Sequence, residues 1–353
     1  MTTLARTLLL SLALLAGSAP GLAARADTGD GTPLPVEPLR PSLAGATGWL
    51  NSPPLTLEGL HGKVVLVDFW TYSCINCLRT LPYVRAWART YASQGLVVIG
   101  VHAPEFEFEH DPQRVRKALQ NLNADWPIAI DDDFKIWHSF RNQAWPALYF
   151  IDAQGRVRHH QFGEGNYAES EQAIRRLLAQ AHADARTLPP MASVDARGVG
   201  AAPDFDHVRS GETYLGYAHA DEAAPRDVLP DRMQRHTPGM PRLNTWGLGG
   251  GWVQRPEYVE ATEADGAIAL RFHARDLHLV MGSADGRPVP FRITIDGHAP
   301  GPDHGVDVDE QGRGVVSGER LYQLVRAHDA VADHTFEIHF ERAGARAWVF
   351  TFG

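Results

Sequence analysis

The 353-residue chain contains two cysteines, and they stand three positions apart in Cys74-Ile75-Asn76-Cys77. A bond between them closes too small a loop to restrain an unfolded chain, because a cross-link gains with loop length. A structural staple is therefore a poor account of the pair. Thiol–disulfide exchange is the better one, in which a thiolate opens a foreign disulfide and a second sulfur resolves the mixed disulfide. Position assigns the roles. Lys63 to Trp70 is a near-continuous apolar run of the kind a strand covered on both faces requires. A helical pattern follows from Ile75 to about Ser93, so Cys74 falls at the positive end of a helix dipole, beside unpaired backbone N–H groups. That setting predicts a stabilised thiolate at Cys74. Cys77, nearly one turn further in, is predicted to be the buried resolving thiol. Zinc is the competing use of such a pair, but it needs about four ligands. Only histidines such as His102, His159 and His160 are left to supply the rest.

The elements that must carry this dithiol are legible on either side of it. Leu55 to Gly62 is read as a short strand and turn, Pro82 as a kink in the first helix, and Gly95 as its end. Leu96 to Val101 is a second buried strand. Asp111-Pro112 has the cap and first-turn residues of a helix. Trp126 to Ile130 and Ala147 to Asp152 are further strands, the latter turning through Ala-Gln-Gly-Arg into Val157 to Phe162. Asp131 to Asp133 is read as the cap of a helix beginning near Phe134, and Asn166 with Glu169 as the capping box of a last helix. This order predicts an α/β fold with a mixed sheet flanked by helices. From Thr213 onward short period-2 segments dominate: Ile268–Phe272, Leu277–Met281, Phe291–Asp296, Leu321–Val325, Phe336–Phe340 and Trp348–Phe352. Their spacing predicts an all-β sandwich or jelly roll.

Val67-Asp68-Phe69-Trp70 and, three residues on, Cys74-Ile75-Asn76-Cys77 resemble the active-site segment of thioredoxins, with Pro82 five residues after the second cysteine. The resemblance covers residues 50–185 and implies a thioredoxin fold. It makes Asp68 the buried acid that takes the proton of Cys77, and Trp145-Pro146 the cis-proline loop that offers backbone groups to a substrate chain. Trp70 and Tyr72 are expected to add to the substrate surface, and Gly163 also fits. Two departures stand out: Ile-Asn lies between the cysteines where thioredoxin has Gly-Pro, and Ser73 replaces the usual tryptophan. The long stretch between Val101 and Trp126 is similar to the TlpA/ResA-type exported branch. Glu105, within it, is a candidate second carboxylate for the dithiol. The C-terminal part, in Glu212 to Tyr217, Trp246, Trp252, Phe272 to Leu277, Gly305 to Asp309 and Arg320 to Leu324, resembles the end of DipZ proteins, a portion similar to carbohydrate-binding modules.

The expected organisation is a secretory signal over 1–26, a thioredoxin-like domain over 48–185, a linker over 186–204 and a β-sandwich over 205–353. Leu8 to Leu15 is too short to span a bilayer, and Ala24-Arg25-Ala26 fits a cleavage site. The implied location is the periplasm or the exterior. A net charge of −9 without a basic stripe argues against nucleic acid as a partner. The resemblance implies protein disulfides as substrates, no cofactor beyond the Cys74–Cys77 disulfide, and a separate membrane electron donor of the DsbD/CcdA kind. Thr71-x-x-Cys74 also fits a thiol peroxidase pattern, and a binding protein on a thioredoxin scaffold is a third reading. In that reading Trp246, Trp252, Tyr214 and Tyr217 could line a glycan platform, although core positions are the commoner fate of such aromatics. Asp303, Asp307 and Asp309 are read as a solvated turn rather than a calcium site. His159, His160 and His278 alternate with apolar residues and are expected at the surface.

Overall fold

A computed structural model describes residues 33–181, 188–219, 228–237, 239 and 241–353, so the predicted signal segment lies outside it. Its first part runs β1 (Gly48–Leu50), β2 (Val64–Trp70), α1 (Ile75–Tyr91), β3 (Leu96–His102), α2 (Pro112–Asn121), β4 (Ile128–Ile130), α3 (Lys135–Ser139), β5 (Ala147–Ile151), β6 (Val157–Phe162) and α4 (Tyr167–Ala181). The sheet order is β1-β4-β3-β2-β5-β6. β2, β3 and β4 are parallel, and β1, β5 and β6 pair antiparallel to their neighbours. This is the thioredoxin-like mixed sheet. The two-residue period of β2 sends Leu66 and Trp70 into one core with Val84, Trp87 and Leu177, and Val65, Val67 and Phe69 into the other with Ile136 and Tyr149. With helices on both faces, all seven residues of β2 are buried.

Asp131 caps α3 as expected, its two carboxylate oxygens accepting the N–H groups of Ile136 and Trp137. Two local expectations are corrected. Residues 55–62 form a 3-10 turn at Glu58–Leu60 instead of a strand, because the Thr56 hydroxyl accepts the Gly59 N–H and closes the chain on itself. Asn166 is left-handed, at φ 48°, and turns its amide to Gln161 rather than holding the extended geometry of a cap.

The second part is all β, with every named strand pair antiparallel. It comprises β7 (Thr213–Tyr214), β8 (Met233–His236), β9 (Trp246–Gln254), β10 (Val259–Ala261), β11 (Gly266–His273), β12 (Asp276–Ser283), β13 (Val289–Ile295), β14 (Arg313–Val316), β15 (Arg320–Arg326), β16 (Asp333–Phe340) and β17 (Ala345–Phe352). The order β14-β13-β16-β11-β9 continues as β9-β10-β17-β12-β15, so β9 belongs to both halves. Its first residues pair with β11 and its last with β10. Gly250, at φ 81°, makes the turn between them, in a conformation that L side chains avoid. One core fills the fold and includes Trp246 and Trp252, as the core reading of these two aromatics expects: both indoles are buried. Asp307 holds Arg320 and the Gln323 N–H, and Asp303 holds His328, so these carboxylates serve turns.

Residues 34–353 form one compact unit, and the two parts meet over the start of α1. Ile75, Phe106 and Phe108 pack against Val280, Leu321, Trp348, Tyr214 and Tyr258. Arg114 pairs with Glu319, and the Arg79 guanidinium in α1 donates to the Phe352 carbonyl. The expected linker is not loose where it is described. Leu188 and Ala192 pack on the first core, Val199 enters the seam, and Gly200 lies against Pro82. His278 is also corrected, being fully buried, with Nδ1 at 3.3 Å from the Thr351 carbonyl and Nε2 at 3.3 Å from the Gln323 amide nitrogen. All eight residues of β12 are buried, since the sandwich core covers one face and the packing of the two parts covers the other.

Candidate functional site

β2 ends at Trp70 and the chain turns through Thr71-Tyr72-Ser73 into α1, with Cys74 as the residue that caps the helix. The Cys77 N–H donates to Cys74 Sγ at 3.2 Å, and the two sulfurs lie 2.7 Å apart. Closing the disulfide therefore needs little backbone movement. Cys77 is buried and Cys74 half-buried. The expected easing of Cys74 ionisation is not found. Burial pushes its thiol up, with further opposition from Glu105 and Glu212, and this outweighs the hydrogen bonds from Cys77. Cys77 is pushed up further, by burial first. Helix-end donors stabilise a thiolate only when desolvation does not cost more.

Asp68 lies within β2, almost fully buried, and its Oδ1 has no hydrogen-bond partner. Burial raises its carboxyl to about 7, so it is half-ionised near neutral pH, and its charge acts on Cys77. The Trp145–Pro146 bond is cis. Trp145 donates from Nε1 to the Ala103 carbonyl at 3.1 Å and packs on Trp137, while the Pro146 carbonyl accepts the Gly163 N–H at 2.8 Å. Trp70 and Tyr72 are corrected as substrate contacts. Trp70 is buried edge-on against His102, and Tyr72 is buried in a stack on the same imidazole with its hydroxyl turned to the Phe108 carbonyl. Burial lowers His102 to about 3, so it packs as a neutral ring whose Nε2 meets the Thr71 hydroxyl. Among the described residues no three His, Cys, Asp or Glu side chains gather as metal ligands.

Three participants were not assigned to the dithiol by the sequence reading. Glu109 is fully buried; it accepts the Ser73 hydroxyl at 2.6 Å and N–H at 3.3 Å, and the N–H groups of Glu105 and Phe106 at 2.7 and 3.2 Å. It ties the turn before Cys74 to the loop after β3, and gives Ser73, in place of tryptophan, a use for its hydroxyl. A Glu three residues after Phe106 and just before the Asp111-Pro112 cap was the available signal. Arg79 is buried with Glu164 at 3.1 Å. Tyr214 donates a 2.5 Å hydrogen bond to Glu105, which places that candidate carboxylate at the seam beside the dithiol.

A buried-acid dithiol at the first helix of a mixed sheet defines a thioredoxin-like redox domain. Sequence comparison agrees. The AhpC/TSA family model matches residues 50–160, and the model described as thioredoxin like C-terminal domain matches residues 210–353. Thiol-disulfide oxidoreductase YkuV of Bacillus subtilis is 34% identical over 141 residues, which is 40% of this chain and 94% of that protein. The chain belongs to this family of thioredoxin-like thiol–disulfide oxidoreductases. Protein DipZ of Mycobacterium bovis is 35% identical over 335 residues, 89% of this chain. The chain spans 42% of that relative's length. A solved thioredoxin-like protein in its oxidized form aligns with 40% of this chain and 94% of its own, at 33% identity and a TM-score of 0.37.

Proposed function

We propose that this protein is an exported thiol–disulfide oxidoreductase acting on protein disulfides. The Cys74 thiolate attacks a substrate disulfide and releases one substrate thiol; Cys77 then attacks the Cys74 sulfur, releasing the second thiol and closing Cys74–Cys77. Asp68 takes the Cys77 proton, which a carboxyl near 7 can do at neutral pH. Trp145 and Pro146 flank the incoming chain. No further cofactor is required, and electrons return from a membrane donor of the DsbD/CcdA kind. Cytochrome c maturation and a glycan contact through the β-sandwich are finer possibilities; the buried Trp246 and Trp252 lend no support to the second. The observation that carries the reading is the 2.7 Å sulfur pair opening α1 together with a buried acid whose Oδ1 has no hydrogen-bond partner and whose charge acts on Cys77.

Suppressed ionisation of Cys74 favours the reducing direction, because a strong oxidant of this fold owes its high potential to a stabilised reduced form. The expected potential lies nearer the about −270 mV of thioredoxin than the about −120 mV of the strongest oxidants. Peroxidase activity, which the AhpC/TSA match raises, fits less well. The Thr71 hydroxyl is buried against His102, and the charged side chains that act most on Cys74 are the acids Glu105 and Glu212, where a peroxidase needs a cation. Insulin reduction against hydrogen peroxide turnover decides. Faster peroxide turnover, or full insulin reduction by Cys74→Ser, would overturn the assignment.

A further inference from the structure

The β-sandwich reaches the dithiol through one side chain. Tyr214 lies in β7, which is tied down by pairing with β17 and by the Leu215 N–H donating to the Trp348 carbonyl at 2.8 Å. Its ring packs against Phe106 and His219, and its hydroxyl donates to Glu105 Oε1. Glu105 is anchored from the other side, since its own N–H donates to Glu109 Oε2. The first domain fixes the backbone of Glu105 and the second domain fixes its carboxyl.

That carboxyl is surrounded by acids. Glu109 faces it from its own loop, Glu212 from the segment leading into β7, and Glu257 from the turn before β10, where it also accepts the Glu107 N–H. Cys74, at the start of α1, feels the same group electrostatically, and the His219 ring packs against the Tyr214 ring at 5.1 Å. Burial in this seam and the acidic neighbours push Glu105 up to about 8, against the Tyr214 hydrogen bond, which favours the charged form. Charge on Glu105, which it gains as pH rises through about 8, opposes ionisation of Cys74 and holds it as a thiol.

We propose that Tyr214 is a positioning residue of the dithiol: by holding the Glu105 carboxyl beside Cys74, it makes the docked β-sandwich set how readily Cys74 ionises. This rests on the reading of Cys74 as the attacking thiol. The second domain then works as a restraint on the nucleophile, in addition to any role it has in choosing substrates.

The test is the pH profile of Cys74 alkylation by iodoacetamide in the reduced full-length chain, with Cys74 resolved from Cys77 by peptide mass spectrometry. Glu105→Gln and Tyr214→Phe are each expected to speed alkylation at pH 9, where the Glu105 carboxyl is largely ionised, by about threefold to tenfold, the effect of moving an ionisation by up to about one pH unit, and to change it little at pH 7. Because both act through one carboxyl, Tyr214→Phe should add nothing in the Glu105→Gln background. Tyr258→Phe, at a seam residue whose ring packs tilted against Trp348, should leave the rate unchanged. Equal acceleration by Tyr214→Phe with and without Glu105 would make its role mere packing and overturn the proposal. So would unchanged rates in both single variants while the unsubstituted protein still reduces insulin. Failure of the unsubstituted protein to exchange any disulfide is a different result: it removes the proposed function, and this inference falls with it.

Discussion

Replacing Asp68 by Asn should make the protein more stable at neutral pH while slowing its chemistry. Asp68 is almost fully buried in β2, and burial moves its carboxyl from 3.8 to about 7. An acid whose folded value is raised adds full stability below its unfolded value, near pH 4, and that stability drains away as pH rises to about 7. Over this window the folded chain holds a proton that the unfolded chain has released. In mid-window each pH unit costs about 1.4 kcal/mol, and with the slope falling off at both ends about 3 kcal/mol is lost between pH 4 and pH 7. Solvent does not screen a side chain this buried, so the loss is felt in full. Asn keeps the shape without the titration. Guanidinium unfolding of both reduced proteins at half-unit pH steps from 4 to 8 should show their stability difference growing in favour of Asp68→Asn up to about pH 7 and levelling off above it. Parallel curves would refute the account of Asp68 as a buried, titrating acid. The same variant should resolve mixed disulfides more slowly near pH 7, since the Cys77 proton loses its acceptor.

Other substitutions test the remaining parts of the site. Cys77→Ser should trap covalent substrate adducts on Cys74 and Cys74→Ser should trap none, as non-reducing gels of cell extracts would show; adducts on both would reverse or abolish the assigned roles. Glu109→Ala strands the N–H groups of Ser73 and Phe106 in the interior, for a loss of about 3 kcal/mol in denaturant unfolding and a slower attack by Cys74. Arg79→Ala leaves Glu164 buried without its cation and releases the Phe352 carbonyl, at a cost of about 3 kcal/mol read from the same titration. Trp348→Ala removes ring contacts to Phe108 and Tyr258, and should both lower stability by about 3 kcal/mol and expose Cys74 to faster alkylation.

The covalent spacing of Cys74 and Cys77, the valine-rich run of β2 and the two-residue alternation after Thr213 sufficed to determine the dithiol, its helix-start setting and both fold classes, because each follows from local periodicity. The tertiary structure alone decided what faces those elements. Alternation marks one side of β12 as polar, yet it cannot say whether that side meets water or another domain, and His278 proved to be buried. A helix start favours a thiolate, yet the seam that buries Ile75 and brings Glu105 and Glu212 toward Cys74 is a long-range event that reverses the balance. Glu109 and Tyr214 act on the site from 35 and 140 positions beyond Cys74, distances over which no sequence period carries information. Local bonding patterns repeat along the chain and can be read there, whereas desolvation depends on which surfaces finally meet.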